Sequence, residues 1–183
     1  TIHLVHGKNG TDLHTNTGHE KNWTPFIHDG DLHVVYSINP HVVIRLKEGR
    51  KSGVYQTGSS SVAWKWGELR GSTPPIRVGD EFVSFFHSSI PWKNVGGAAK
   101  RRYVCGAYAF AATPPFRATR MTMHPVLIGS EQDPLLQWSP LVCFPVGCIV
   151  HENDYLITGG CNDACCFWQR IPIDVLDKQL ERT

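Results

Sequence analysis

Short β-rich runs recur along this chain roughly every ten residues, each closed by a turn signal, and this spacing constrains the fold more than any other feature. Residues 32–37 and 42–46 are rich in β-branched and aromatic side chains and are separated by Asn39-Pro40. Residues 53–56, 81–87, 103–110, 116–123, 141–150, 154–158 and 164–169 read the same way, with Gly, Pro, Asn and Asp between them. Branched and aromatic side chains suit a pleated, half-buried surface, whereas the punctuating residues supply turn geometry. Only residues 174–180 read as a helix, with Asp174 near its N-terminus. Many short strands and almost no helix point to an all-β sandwich, barrel or propeller. A coarse repeat selects among these. A strand ends in a polar or Gly-rich loop and a hairpin strand returns around residues 26–46, 81–123 and 141–169. Sheets of about four strands repeated radially are propeller blades.

Composition bounds the class. The 183 residues suffice for one domain with a sizeable core, and 41% hydrophobic against 19% charged residues marks a globular chain. A net charge of +2, scattered along the sequence, argues against nucleic acid or an anionic membrane surface as partner. No apolar run reaches the ~18 residues of a membrane helix. Six cysteines (Cys105, Cys143, Cys148, Cys161, Cys165 and Cys166) sit in apolar, strand-like text without a CxxC pair. They read as buried free thiols, which with no signal peptide seen favours a cytoplasmic location, and no metal is expected. His3, His6, His14 and His19 lie in a polar stretch with no ligand-like spacing, so they read as loop.

Function is expected where polar groups meet strand ends, because loops carry sites and strands hold them still. The stretch Glu20-Lys21-Asn22-Trp23-Thr24-Pro25-Phe26 gathers charge, amide and aromatic groups just before a hairpin. Lys21 there is either a surface lysine paired with an acid or a cation for an anionic ligand. His87 ends a nearly continuous apolar strand and is either a solvated strand-end histidine or a directed hydrogen-bond partner. The following residues 88–102 read as a long polar loop, with Lys100-Arg101-Arg102 a solvated basic surface. Asn162 and Asp163 follow Gly159-Gly160, where a backbone can approach a ligand. An Asx turn explains them equally well. Trp23, beside Lys21, adds an aromatic face that could stack on a ligand. Asp29 and Asp31 flank Gly30 for turn reasons, and no convincing acid pair is present.

Taken in order, EKNWTPF, LHVVYSINPHVV, GSTPPI, FVSFFHSS, YVCGAYAFAATPPFRATRMTMHPVL and CFPVGCIVHENDYLITGGCNDACCFW resemble the later part of glycoside hydrolase family 130. That family includes β-mannoside phosphorylases and related hydrolases. The resemblance covers residues 20–173 and is nearest to an outlying group carrying EKNW and YSINPH. It implies a five-bladed β-propeller of the glycosidase type, with about three blades present. Residues 1–19 would be a remnant of a truncated blade, residues 20–173 the blades and residues 174–183 a short C-terminal helix or tail.

The resemblance further implies a carbohydrate partner, β-mannosides or related glycosides, with inorganic phosphate as co-substrate and no other cofactor. Lys21 and His87 take the phosphate-side positions, while Asp163, Asn162, Trp23 and Asn22 take sugar-side positions. No catalytic residue is identified. The family's general-acid Asp lies ahead of EKNW, and Asp12, the carboxylate before Glu20, has unmatched surroundings. The His-Arg pair that phosphorylases of the family carry after the LHVV strand is replaced by Tyr36-Ser37, so that arginine is lost. Two other readings share the fold: a non-catalytic carbohydrate-binding propeller and a glycosyltransferase.

Overall fold

The structure, a computed structural model, describes residues 21–48, 50–58, 63–95, 98–129 and 142–183. The four early histidines, Asp12 and Glu20 lie outside them. Strands β1 (Thr24–His28), β2 (Asp31–Ser37), β3 (Val42–Lys47) and β4 (Arg50–Gln56) form a first antiparallel sheet in sequence order. Asp29 and Gly30 join β1 to β2 with φ of 49° and 78°. Positive φ at both central residues matches the twist of the flanking strands, which is why Asp-Gly stands there. Asp31 instead accepts hydrogen bonds from the Arg45 guanidinium on β3.

The second sheet holds β5 (Arg70–Gly71), β6 (Ile76–Val78), β7 (Glu81–Val95), β8 (Ala98–Ala111), β9 (Ala118–Thr122) and β10 (Leu127–Ile128). Both β5 and β6 pair with β7, and both β9 and β10 pair with β8. Each pair fills one edge end to end, so these six strands stand four wide. The Pro74-Pro75 pair falls between β5 and β6, where no ladder donor is needed. Residues 88–102, expected as a polar loop, are instead largely the far half of the β7–β8 ribbon, with Ser89 opposite Tyr103 and Pro91 opposite Arg101. The basic residues there brace it. Arg101 donates to the Ser89 carbonyl, and Arg102 donates to the Gly129 carbonyl while lying over the Trp92 ring. Alternating polar side chains hid a strand whose partners are cross-strand rather than core.

The third sheet is β11 (Cys143–His151), β12 (Asp154–Cys161) and β13 (Cys165–Pro172). Helix α1 (Ile173–Asp177) is shorter than the helix expected over residues 174–180, and β14 (Leu180–Arg182) then pairs with β9 of the second sheet. Leu176 and Leu180 are buried, so the tail is fastened by apolar contact as well as by strand pairing.

Strand β7 shows how the core is built. Successive side chains point to opposite faces. Phe82 and Phe86 join Phe26, Val35 and Val43 of the first sheet in one cluster. Val83 and Phe85 join Tyr155 and Ile157 of the third sheet in another. The near-continuous apolar run 82–86 therefore reflects burial on both faces. Each fully buried ring contributes about 1.5–3 kcal/mol by transfer from water. None of the six cysteines forms a disulfide. Cys105 and Cys143 are buried as expected, but Cys148 and Cys161 are only partly buried, and Cys165 and Cys166, at the start of the edge strand β13, are exposed.

Candidate functional site

His87 continues the β7 alternation that turns Val83 and Phe85 toward the third sheet. Its ring meets Phe144 of β11 with centroids 4.3 Å apart and stacks on Tyr103 at 6.0 Å. Across the ladder it pairs with Arg70 on one side and Cys105 on the other. Directly opposed residues share a face of the sheet, so the Arg70 side chain belongs to the same face as the imidazole. The Ser72 hydroxyl lies 2.7 Å from Nδ1.

Only 3% of His87 is exposed. Burial lowers its pKa from the ordinary 6.5 to about 4, and the positive charges of Arg70 and Lys21 push in the same direction, with Glu68 opposing them. The imidazole is therefore neutral at physiological pH. A neutral imidazole offers one donor and one acceptor, and the Ser72 hydroxyl engages one of them.

Lys21 reaches this neighbourhood through a close backbone approach. The Asn22 carbonyl oxygen and the Thr24 methyl occupy the space that a Cβ on Gly71 would need. The glycine thus lets the 21–24 segment lie on β5, beside Arg70. Asn22 has φ of 66°, a left-handed turn that asparagine tolerates. The structure so brings Lys21, Arg70, Ser72 and His87 together, with Glu68 bonded to Arg70 through two guanidinium nitrogens at 2.7 and 3.1 Å.

The other candidate residues read from the sequence occupy different surroundings. Trp23 packs against Val34, Val42 and Ile44, and its ring meets Tyr36 at 5.4 Å, so one part of it is core. Asn162 is buried, and its side-chain oxygen accepts the Val142 N–H while its own N–H donates to the Val142 carbonyl. That is a brace across the mouth of the β11–β12 pair. Asp163 is exposed in the next turn position, with φ of 55°. It follows Gly160, which pairs with Phe144, the residue that contacts His87. Gly160 faces open space, whereas a Cβ on Gly159 would strike the Phe144 carbonyl and the Phe167 ring.

Arg70, Ser72 and Glu68 were not singled out from the sequence. The signal was present in Glu68-Leu69-Arg70-Gly71-Ser72, directly ahead of the Pro pair, but only strand pairing shows Arg70 opposite His87. Among the described residues, no group of three or more His, Cys, Asp or Glu side chains gathers as metal ligands would.

No family model and no curated protein matches the sequence. Solved structures do match in fold. The β-1,2-mannobiose phosphorylase from Listeria innocua, in complex with β-1,2-mannobiose, superposes with a TM-score of 0.66 at 14% identity. The match covers 87% of this chain and 46% of that one. A second neighbour is a glycoside hydrolase candidate from Parabacteroides distasonis, with a TM-score of 0.57 at 13% identity, covering 81% and 49%. The chain thus has the all-β fold of these carbohydrate-active proteins and spans about half the length of each.

Proposed function

We propose that this chain supplies about three blades of a five-bladed propeller of the glycoside hydrolase family 130 kind, in the EKNW/YSINPH group, acting on β-mannosides or related glycosides. Blades fall within residues 20–173, and residues 174–183 fasten the end. The observation that carries this reading is the neutral, buried His87 set beside Lys21 and Arg70. A phosphate dianion needs fixed positive charge and a directed donor. Lys21 and Arg70 supply the charge. If Ser72 donates to Nδ1, the imidazole carries its proton on Nε2 and presents it as a donor.

Arg70 also bears on the Tyr36-Ser37 replacement, since it is an alternative cation in the same neighbourhood. On this reading Asp163 and Asn22 bind sugar hydroxyls from the two sides of His87, with Asn162 holding the Asp163 turn and Trp23 backing the Lys21 segment. The proton donor to the leaving sugar is not among the residues assigned.

The test is turnover of β-1,2-mannobiose by the full-length protein with and without inorganic phosphate. Sugar phosphate formed only with phosphate supports phosphorolysis. Equal sugar release in both conditions overturns it in favour of hydrolysis.

A further inference from the structure

Three cysteines form a row across the third sheet. Cys143 on β11 pairs with Cys161 on β12, and Cys161 pairs in turn with Cys165 on β13. Directly opposed residues share a face, so the three thiols stand side by side. Cys105 of β8 lies at the inner end, where its S–H donates to the Cys143 carbonyl at 3.1 Å. The row thus runs from the buried Cys105 and Cys143, through the partly buried Cys161, to the exposed Cys165.

The ladder tells the two cross-strand pairs apart. One position along, the Asn162 N–H donates to the Val142 carbonyl at 3.0 Å, and the Val142 N–H donates to Asn162 Oδ1 at 2.9 Å. Val142 and Asn162 are therefore a hydrogen-bonded pair, and bonded and non-bonded pairs alternate in an antiparallel ladder. Cys143 and Cys161 are the non-bonded kind, with Cα atoms about 4.5 Å apart and side chains at their closest. The Cys161 backbone points the other way, its carbonyl accepting the Ala164 N–H at 3.1 Å, so Cys161 and Cys165 are the wider kind, about 5.5 Å apart. A disulfide needs Cβ atoms about 3.5–4.5 Å apart, which the non-bonded pair meets with the least movement.

Reactivity points to the same pair. Thiol–disulfide exchange starts on a sulfur that solvent reaches, and of these two that is Cys161. A hydrogen bond with Cys105 holds the Cys143 thiol below its ordinary 9.0, with burial opposing. The same bond and burial push Cys105 well up, so Cys105 stays a protonated thiol.

We propose that Cys143 and Cys161 are a reversible redox pair, oxidised by a small-molecule disulfide. The Cys161 sulfur attacks one sulfur of that disulfide. The small S–S bond breaks, one small thiol leaves with the Cys161 proton, and a mixed disulfide stands on Cys161. The Cys143 thiolate then attacks the Cys161 sulfur, and the second small thiol leaves with the Cys143 proton. Two protein thiols are oxidised and one small disulfide is reduced to two thiols. The new bond fastens β11 beside Phe144, the His87 contact, to β12 beside the Asn162-Asp163 turn. It does so whatever ligand His87 serves.

The test is incubation of the full-length protein with glutathione disulfide, followed by mass-spectrometric mapping of linked peptides. The unaltered protein should give a Cys143–Cys161 linkage that dithiothreitol reverses. C143S should instead hold glutathione on Cys161, at least about tenfold above the unaltered protein, because the resolving thiol is gone. C161S should lose the linkage while Cys143 stays unmodified. Both variants are checked for an unchanged melting temperature, and the map of the unaltered protein decides alone where a variant is destabilised. A Cys161–Cys165 or Cys105–Cys143 linkage in place of the expected one, or glutathione confined to Cys165 and Cys166, overturns the pair. So does equal glutathione on Cys161 with and without Cys143.

Discussion

His41 and His87 are both buried, at 1% and 3% exposure, and burial holds both pKa values near 4. Their surroundings differ in kind. His41 lies among rings, with Tyr108 at 5.7 Å and Phe110 at 4.9 Å, and no charged group is among the causes of its shift. His87 has one aromatic side, at Phe144 and Tyr103, and one polar side, where Ser72, Arg70 and Lys21 converge. A depressed pKa is thus not by itself a sign of a site. The first histidine is a packing element of the core; the second is a neutral hydrogen-bonding group placed beside cations, which is what a site for an anion requires.

The largest expected effect separates the two directly. H87N should lower phosphate-dependent turnover by about a hundredfold or more, in line with the loss of one directed donor. H41L should leave affinity for phosphate and sugar within about twofold, as expected for a change away from the binding groups. Equal loss in both variants would break the comparison.

The next effect is on stability. Each imidazole is neutral when folded and takes a proton near pH 6.5 when unfolded. Its contribution is complete above that value and is lost as pH falls toward 4. Between pH 7 and pH 5 each histidine should account for about 2 kcal/mol of lost stability. H41L should remove that share of the loss in chemical denaturation at the two pH values. An unchanged pH dependence would mean that His41 does not stay neutral.

Smaller effects sharpen the polar side. K21A should weaken phosphate binding by about tenfold, with K21R restoring most of it and added salt reducing the difference. S72A should lower turnover by only about threefold to tenfold through loss of imidazole orientation. S72T should restore it by returning a hydroxyl, an outcome that a purely structural role for Ser72 does not require.

Much of the architecture was legible from alternation and turn chemistry. Asp29-Gly30 announced its hairpin, and the 82–86 run announced a strand, which the structure buries on both faces. The β7–β8 ribbon beyond Ser88 was not legible, because its polar residues bond across strands and bury little apolar surface. Nor was β14, three residues whose only claim to strand structure is the edge of β9. At the site, residue types at Lys21 and His87 were visible. Arg70 and Ser72 were hidden because their relation to His87 is a matter of cross-strand register, not of sequence spacing.

The most direct test is the titration of His41 and His87 side by side, by isotope-edited NMR of the imidazoles in the full-length protein. Both rings should stay neutral down to about pH 4, and inorganic phosphate added at pH 7 should shift the His87 resonances while leaving those of His41 in place. A His87 that titrates near its ordinary 6.5, or that ignores phosphate as His41 does, would contradict the account.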